Sequence, residues 1–203
     1  MPNWCANSVK LKPITKKAKS FFPKIVAEID KGQECRLFNL IIPMPQQLLD
    51  TVAGSVAEDK RAEHQAQMAL NTAQYGYKDW YDFANAEWGT KWEACNLTFD
   101  IEWATKRNEF GLKFEKNNGQ ITIWFDTAWS PPMGIYKKLE DMGFEVEATY
   151  CEQGVGYAGW YSNGTDNEHT ISFWEDENSD DIRNMMHFFE SKGLTHTPAH
   201  TGG

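Results

Sequence analysis

No run of apolar residues in this chain of 203 approaches the ~20 that a membrane-spanning helix needs. Residues 1–12 also lack the basic start and apolar stretch of a secretory signal, so the protein is expected to stay in the cytoplasm. Cysteine is scarce. The four thiols, Cys5, Cys35, Cys95 and Cys151, lie far apart with no CxxC pair, which excludes a zinc ribbon and a small disulfide scaffold and predicts buried free thiols. Basic residues are outnumbered, 20 against 29 acidic, and the net charge of −9 repels phosphate backbones over the molecule as a whole. Sequence-specific nucleic-acid binding is therefore not expected, although a local basic pocket remains open. A P-loop, a GxSxG elbow and an HExxH pair are all missing.

What the chain has is an apolar fraction of 41%, enough to fill a core, and an unusual load of large aromatics: nine Trp, 12 Phe and seven Tyr. Such rings usually fill cores, but they also anchor interfaces and stack on flat ligands.

The hydrophobic pattern predicts an α+β fold. Residues 7–12 alternate into Pro13 as a first strand. Ile14, Ala18, Phe21, Phe22, Ile25, Val26 and Ile29 then recur at helical spacing up to Gly32, with Pro23 expected to kink the helix or mark its true start. Residues 37–42 suggest a buried strand. Ser55 and Glu58 have capping-box spacing ahead of an Ala-rich helix, and Tyr77, Tyr81, Ala84 and Trp88 share one helical face before Gly89. Residues 54–92 thus form a helical insertion. Leu97, Phe99, Ile101 and Trp103 mark a half-buried strand, and Asn118-Gly119 is a candidate hairpin turn between residues 111–115 and 120–127. A helix over 133–142 enters through Pro131-Pro132, and Phe144, Val146, Ala148 and Tyr150 make another strand. Residues 159–161 and 168–174 pair through Ser162-Asn163-Gly164. Ile182, Met185, Met186 and Phe189 close the pattern as an amphipathic helix. This order fits a ferredoxin-like antiparallel or mixed sheet with helices on one face, a single domain over 1–194 with the insertion at 54–92, and a flexible tail over 195–203.

Several candidate chemistries weaken on inspection. Gly154, Gly156 and Gly159 match GxGxxG after a strand, but turn and strand residues follow where a dinucleotide site needs a helix N-terminus. His196 and His200 are separated by Pro198, and His64, His169 and His187 have no ligating neighbour at metal spacing, so no metal or cofactor is expected. The pairs Asp100 with Glu102 and Glu145 with Glu147 fall on the expected solvent face of their strands. Trp124 and Trp174 fall out of step with their apolar neighbours, which calls for cover on the second sheet face, and the insertion is the expected cover.

More informative are two tryptophan stretches. Trp88-Gly89-Thr90-Lys91-Trp92 joins two indoles, a cation and a hydroxyl, and Thr127-Ala128-Trp129-Ser130-Pro131-Pro132 adds a third indole before a helix start. Together with Tyr157 in the glycine-rich segment, Trp88, Thr90, Lys91, Trp92, Trp129 and Ser130 are the candidate ligand-binding residues, suited to a planar anion such as a nucleotide. The alternative is that Trp88 and Trp92 plug the core and Pro131-Pro132 merely starts a helix.

These residues also carry a resemblance. Met1-Pro2-Asn3-Trp4-Cys5-Ala6-Asn7, Pro43-Met44-Pro45, the two tryptophan stretches and Glu152-Gln153-Gly154 resemble, in order, the YubB-type ferredoxin-like family of phage and plasmid proteins. The resemblance implies a ferredoxin-like sheet and a phage or plasmid origin, so that the cytoplasm expected above is a host cell's, and it transfers no catalytic residue. It suggests a non-catalytic, counter-defence binder that sequesters a small nucleotide immune signal. Two alternatives stand beside it: an acidic mimic that inhibits a host defence or nucleic-acid-processing protein, and a nucleotide-processing enzyme with Asp126 or Glu93 as general base. A homo-oligomer is left open.

Overall fold

The alternating residues near the start of the chain form a strand longer than the pattern predicts, Trp4–Pro13 (β1), because β1 lies inside the sheet and is paired along both edges. A computed structural model describes residues 3–108, 111–152 and 154–170. In it β1 pairs with Gly111–Ala128 (β3) on one side and Phe144–Glu152 (β4) on the other; Cys95–Asn108 (β2) flanks β3, while Tyr157–Ser162 (β5) and Thr165–Thr170 (β6) extend the sheet beyond β4. The order is β2-β3-β1-β4-β5-β6 and every pairing is antiparallel.

Strand alternation sends Val9, Leu11, Ile121, Ile123, Phe125, Phe144, Val146 and Ala148 to one face. Helix α1 (Lys16–Ile29) lays Ala18, Phe22, Ile25 and Ile29 on that face. Thr15 starts α1, its hydroxyl accepting the Ala18 N–H at 3.1 Å, so Pro23 lies inside the helix rather than at its start. The helix expected after Pro131-Pro132 is Met133–Asp141, which contributes Ile135, Tyr136 and Leu139 to the same core.

Several expectations are corrected. Residues 37–42 are not a strand: Leu37–Ile41 is a short helix (α2), because the Glu93 carboxylate accepts the Phe38 and Asn39 N–H groups, each at 2.8 Å, and caps it from 54 residues away in sequence. Periodicity cannot separate helix from strand in so short an apolar run. After Gln46–Leu49 (α3), Ser55 and Glu58 do not form a capping box. Helix Arg61–Tyr75 (α4) has no side-chain cap, and Glu58 instead pairs with Arg61 at 2.5 Å.

The face expected from Tyr77, Tyr81, Ala84 and Trp88 is also broken, into Trp80–Phe83 (α5), capped by Asp79, and a π-helical turn at Ala84–Trp88. The helix Met133–Asp141, α6, packs against that turn so closely that a Cβ on Gly134 would sit 1.9 Å from the Glu87 carbonyl oxygen. Asn118-Gly119 is not a hairpin turn between residues 111–115 and 120–127: both stretches belong to the single strand β3, Gly119 pairs with Trp103 beside a register shift, and pairing with β2 runs on to Asn108 and Gly111. A flexible dipeptide serves a bulge there rather than a turn.

The insertion does not cover the second sheet face. Its buried Phe83, Ala84 and Trp88 join the core that α1 and α6 fill, against Phe38 of α2. Trp124 stands on the other, outer face, in register with Ser8 and Thr98, as its break from the apolar alternation indicates. The β5–β6 turn is Asn163-Gly164, both in left-handed conformation (φ 50° and 74°), so β6 begins at Thr165, earlier than expected. The expected strand beyond Thr170, with Trp174, the closing helix over 182–189, His187, His196, His200 and the tail 195–203 lie outside the described residues.

Candidate functional site

The two tryptophan stretches meet where β3 ends and the insertion returns to the sheet. The Thr90 hydroxyl, wholly buried, donates to the Ala128 carbonyl at 2.9 Å, and the Ser130 hydroxyl donates to the Gly89 carbonyl at 2.7 Å. A buried polar chain anchors the joint from below. Tyr136 donates to Asn7 Oδ1 at 3.0 Å, Asn7 Nδ2 donates to the Thr127 hydroxyl at 2.8 Å, and that hydroxyl donates to the Ser130 carbonyl at 2.8 Å. Such a satisfied network holds both loops in one geometry.

On this frame the candidates divide. Trp88 is buried at 5% exposure; its indole N–H donates to the Ile42 carbonyl at 3.0 Å, and its ring meets Phe38 and Phe83 edge-on. Trp88 and Thr90 are therefore core residues, as the alternative reading of Trp88 held, whereas Trp92 is not: it is 37% exposed. Trp129 is 53% exposed. Its φ is +74°, and the Ser130 N–H reaches the Ala128 carbonyl at 3.0 Å, closing a left-handed γ-turn around it. The Trp129 N–H donates to the Asn3 carbonyl at 2.9 Å, and the Trp129 carbonyl accepts the Tyr157 hydroxyl at 2.5 Å. Ser130 and Tyr157 thus serve the site by fixing the backbone that presents Trp129.

The Lys91 ammonium lies 4.4 Å from the Trp92 ring centre, 5.6 Å from Tyr81 and 5.8 Å from Trp129, within cation–π range of all three. Trp4 extends the patch, its ring 6.2 Å from that of Trp92. Lys91, Trp92 and Trp129 are brought together as a partly exposed aromatic and cationic surface. Sequence reasoning did not single out Tyr81 and Trp4 as parts of it, nor Asn7 as its support. Only the place of Trp4 within the MPNWC opening, with Asn7 just after it, could have hinted at those two.

Amides of the GxGxxG segment are already engaged within the chain. Glu152, at 1% exposure, turns its carboxylate into the loop and accepts the Gly154 N–H at 2.8 Å and the Val155 N–H at 2.5 Å. The chain's own anion occupies the amide nest that a pyrophosphate would require.

Of the two candidate bases, Glu93 is a capping residue. Both Glu93 oxygens cap α2, and burial raises its pKa against the opposing pull of those two N–H groups. Asp126 is 2% exposed, with Oδ2 accepting Asn96 Nδ2 at 2.9 Å and Oδ1 buried without a hydrogen-bond partner among the described residues. Burial likewise pushes the thiols up, Cys5 to about 12 and Cys35, Cys95 and Cys151 to about 11. Asp100, Glu102, Glu145 and Glu147 are exposed, as expected of a solvated face.

Residues 98–190 match the family model described as the ferredoxin-like domain in Api92-like protein, a span that begins in β2 and takes in the rest of the described sheet except β1. The crystal structure of a protein api92 from Yersinia pseudotuberculosis is similar over 85% of this chain and 99% of that one, with 11% identity and a TM-score of 0.36. No curated protein matches the chain. The fold is ferredoxin-like, α+β, with a helical insertion.

Proposed function

We propose that this protein is a non-catalytic binder that captures a flat anionic ligand of the nucleotide class on Trp92 and Trp129 beside Lys91. The observation that carries this reading is the conformation of Trp129. A non-glycine residue at φ +74° costs on the order of 1–3 kcal/mol, and here that strain holds an exposed indole next to a cation instead of burying it. Residues bearing no functional burden rarely sustain both costs.

The arrangement suggests how capture works. In the free protein Lys91 rests over the rings, a modest attraction at a partly exposed site. An incoming base takes the ring faces by stacking, and the displaced ammonium turns to the ligand's phosphate, where it gains a charge-assisted contact. Local positive charge then works against a net charge of −9, so small anions suit the site better than long polyanions. The resemblance to YubB-type phage and plasmid proteins supports a setting in which that ligand is a host immune signal and sequestering it is counter-defence.

Calorimetric titration with cyclic dinucleotides and ADP-ribose tests the reading. A micromolar one-site isotherm is expected, weakened at least tenfold by Lys91→Ala and by Trp129→Ala. Absence of heat for every nucleotide at millimolar concentration would sink it. The exposed Trp92 and Trp129, with the half-buried Trp4 beside them, also favour a second reading, as anchors for a host defence protein. Native mass spectrometry of the protein from defence-expressing cells separates the two: a small added mass supports capture, and a co-purified protein supports inhibition. Recovery of a bound nucleotide unchanged speaks against an enzyme.

A further inference from the structure

The protein's charge is distributed unevenly along the chain. Residues 1–27 hold six lysines, Lys10, Lys12, Lys16, Lys17, Lys19 and Lys24, and no acidic residue. The other 14 basic and all 29 acidic residues lie beyond, a formal charge of −15 against +6. A molecule that repels anions as a whole thus has one segment that attracts them.

Helix α1 carries most of that excess. Its buried stripe, Ala18, Phe22, Ile25 and Ile29, meets the sheet. Helical spacing therefore turns Lys16, Ser20 and Lys24 to solvent in one row with Lys17 beside it, and all four are exposed. From Lys16 to Lys24 the row is about 12 Å long at helical rise. Lys10 and Lys12 do not add to it: register sets them opposite Glu147 and Glu145, and Lys12 is bridged to Glu145 at 3.7 Å. Glu28, the one carboxylate of α1, is taken by Lys31 at 2.6 Å. Lys16, Lys17, Lys19 and Lys24 make no ion pair among the described residues. Lys16 and Lys17 also stand in the first turn, where the helix dipole is positive and an acidic residue is favoured, and α1 has none there. These like charges oppose folding, and an anionic partner reverses the sign of that effect.

The form of the patch selects the anion. Single-stranded bases stack on exposed rings, but on α1 Phe22 is buried and Phe21 is half-buried, with the Lys24 ammonium 5.7 Å from its ring centre. Lying in a membrane surface requires an open apolar helix face, and that of α1 is closed against the sheet; Ile14, exposed just before the helix, is a single residue. A row of flexible point charges instead suits an array of phosphates whose bases are turned inward. Duplex nucleic acid presents one such charge per about 1.7 Å of axis. We propose that the lysine face of α1 binds the sugar–phosphate backbone of double-stranded nucleic acid without regard to sequence. The acidic remainder orients the protein by repulsion and keeps the binding weak. The aromatic patch lies apart, because Trp4 begins β1 and α1 follows its far end at Pro13, about 30 Å away at strand rise.

Fluorescence anisotropy of a labelled DNA duplex of about 20 base pairs, titrated with the full-length protein, tests this. A Kd of about 10–100 µM at ~50 mM salt is expected, with a log–log salt slope of about −3 to −4, as four phosphate contacts give. Duplexes of different sequence should agree within about twofold. Lys16→Glu/Lys24→Glu should weaken binding at least tenfold and Lys16→Gln/Lys24→Gln at least threefold, with circular dichroism unchanged. Lys60→Glu/Lys78→Glu, the same change of net charge placed in the insertion, should weaken it less than threefold, and Trp129→Ala should leave it unaltered. No binding at millimolar protein, equal losses from the two glutamate pairs, or a slope shallower than about −2 would each overturn the proposal. So would tighter binding to phosphatidylserine vesicles or to polyglutamate than to the duplex. Because Trp129→Ala reads the other site, failure here leaves nucleotide capture standing, and the reverse also holds.

Discussion

Two halves of one five-residue stretch behave as opposites. Trp88 is sealed beneath the insertion with its N–H bonded and its ring against two phenylalanines, whereas Trp92, four residues on, lies against Lys91 and Trp4 with over a third of its surface exposed. Gly89 and Thr90 make the division. Gly89 takes φ +85° to end the π-helical turn, and buried Thr90 ties the chain to Ala128, so Lys91 and Trp92 emerge at the surface. Residue type alone does not say whether a tryptophan supports a fold or faces a ligand; its backbone and its N–H partner do.

Substitutions can break or sharpen that contrast. The largest effect is expected from Trp88→Ala, which empties a core site and orphans the Ile42 carbonyl; a loss of about 3–5 kcal/mol should appear in urea unfolding. Glu93→Ala leaves two α2 amides uncapped and is expected to cost roughly 2–4 kcal/mol in the same assay. Its charge carries a pH signature. Because the folded pKa is raised, Glu93's contribution is fullest below the ordinary carboxylate range and declines as pH rises through the raised value. Glu93→Gln should flatten that part of the stability–pH profile, and an unchanged profile would refute burial as the dominant influence.

Thr90→Val keeps the shape and removes one buried hydrogen bond, for about 1 kcal/mol by thermal melt. At the exposed end the sign reverses. Trp129→Gly should be more stable than Trp129→Ala by about 1 kcal/mol, since glycine accepts positive φ without strain. Equal melts would mean that the γ-turn relaxes once the indole is gone. Trp92→Ala should change stability least, by about 0.5 kcal/mol or less, while weakening nucleotide binding. A separate check concerns the thiols: with pKa values of about 11 to 12, all four should resist alkylation at pH 8 in the native state and react on unfolding.

Much of this architecture is legible in the chain. Period-two alternation over 144–150 marks a strand because one face is buried, alternation over 97–103 marks another because Leu97, Ile101 and Trp103 pack partly buried against the core while Phe99 stays exposed, and helical spacing up to Ile29 marks α1 because a single stripe meets the sheet. The same local logic explains the solvated carboxylates of β4 and the turn at Asn163-Gly164. Of the candidate site, Lys91, Trp92 and Trp129 were visible as a cluster of suitable chemistries.

The remainder depended on residues distant in sequence. Whether 37–42 is helix or strand was decided by Glu93, whose carboxylate arrives from the far end of the insertion. Asn118-Gly119 became part of a bulge because pairing of β2 with β3 continues past it, and continued pairing outweighs a local turn preference. Trp4 and Tyr81 joined the patch only when β1 and α5 were brought to the same corner. By itself the sequence determined the fold class, the core-facing positions of its longer elements and the scarcity of catalytic motifs, each of them a product of local periodicity and composition. Tertiary structure alone decided which tryptophans are buried, which carboxylates are spent on backbone amides and where Lys91 comes to rest, because each depends on contacts between segments that no local pattern encodes.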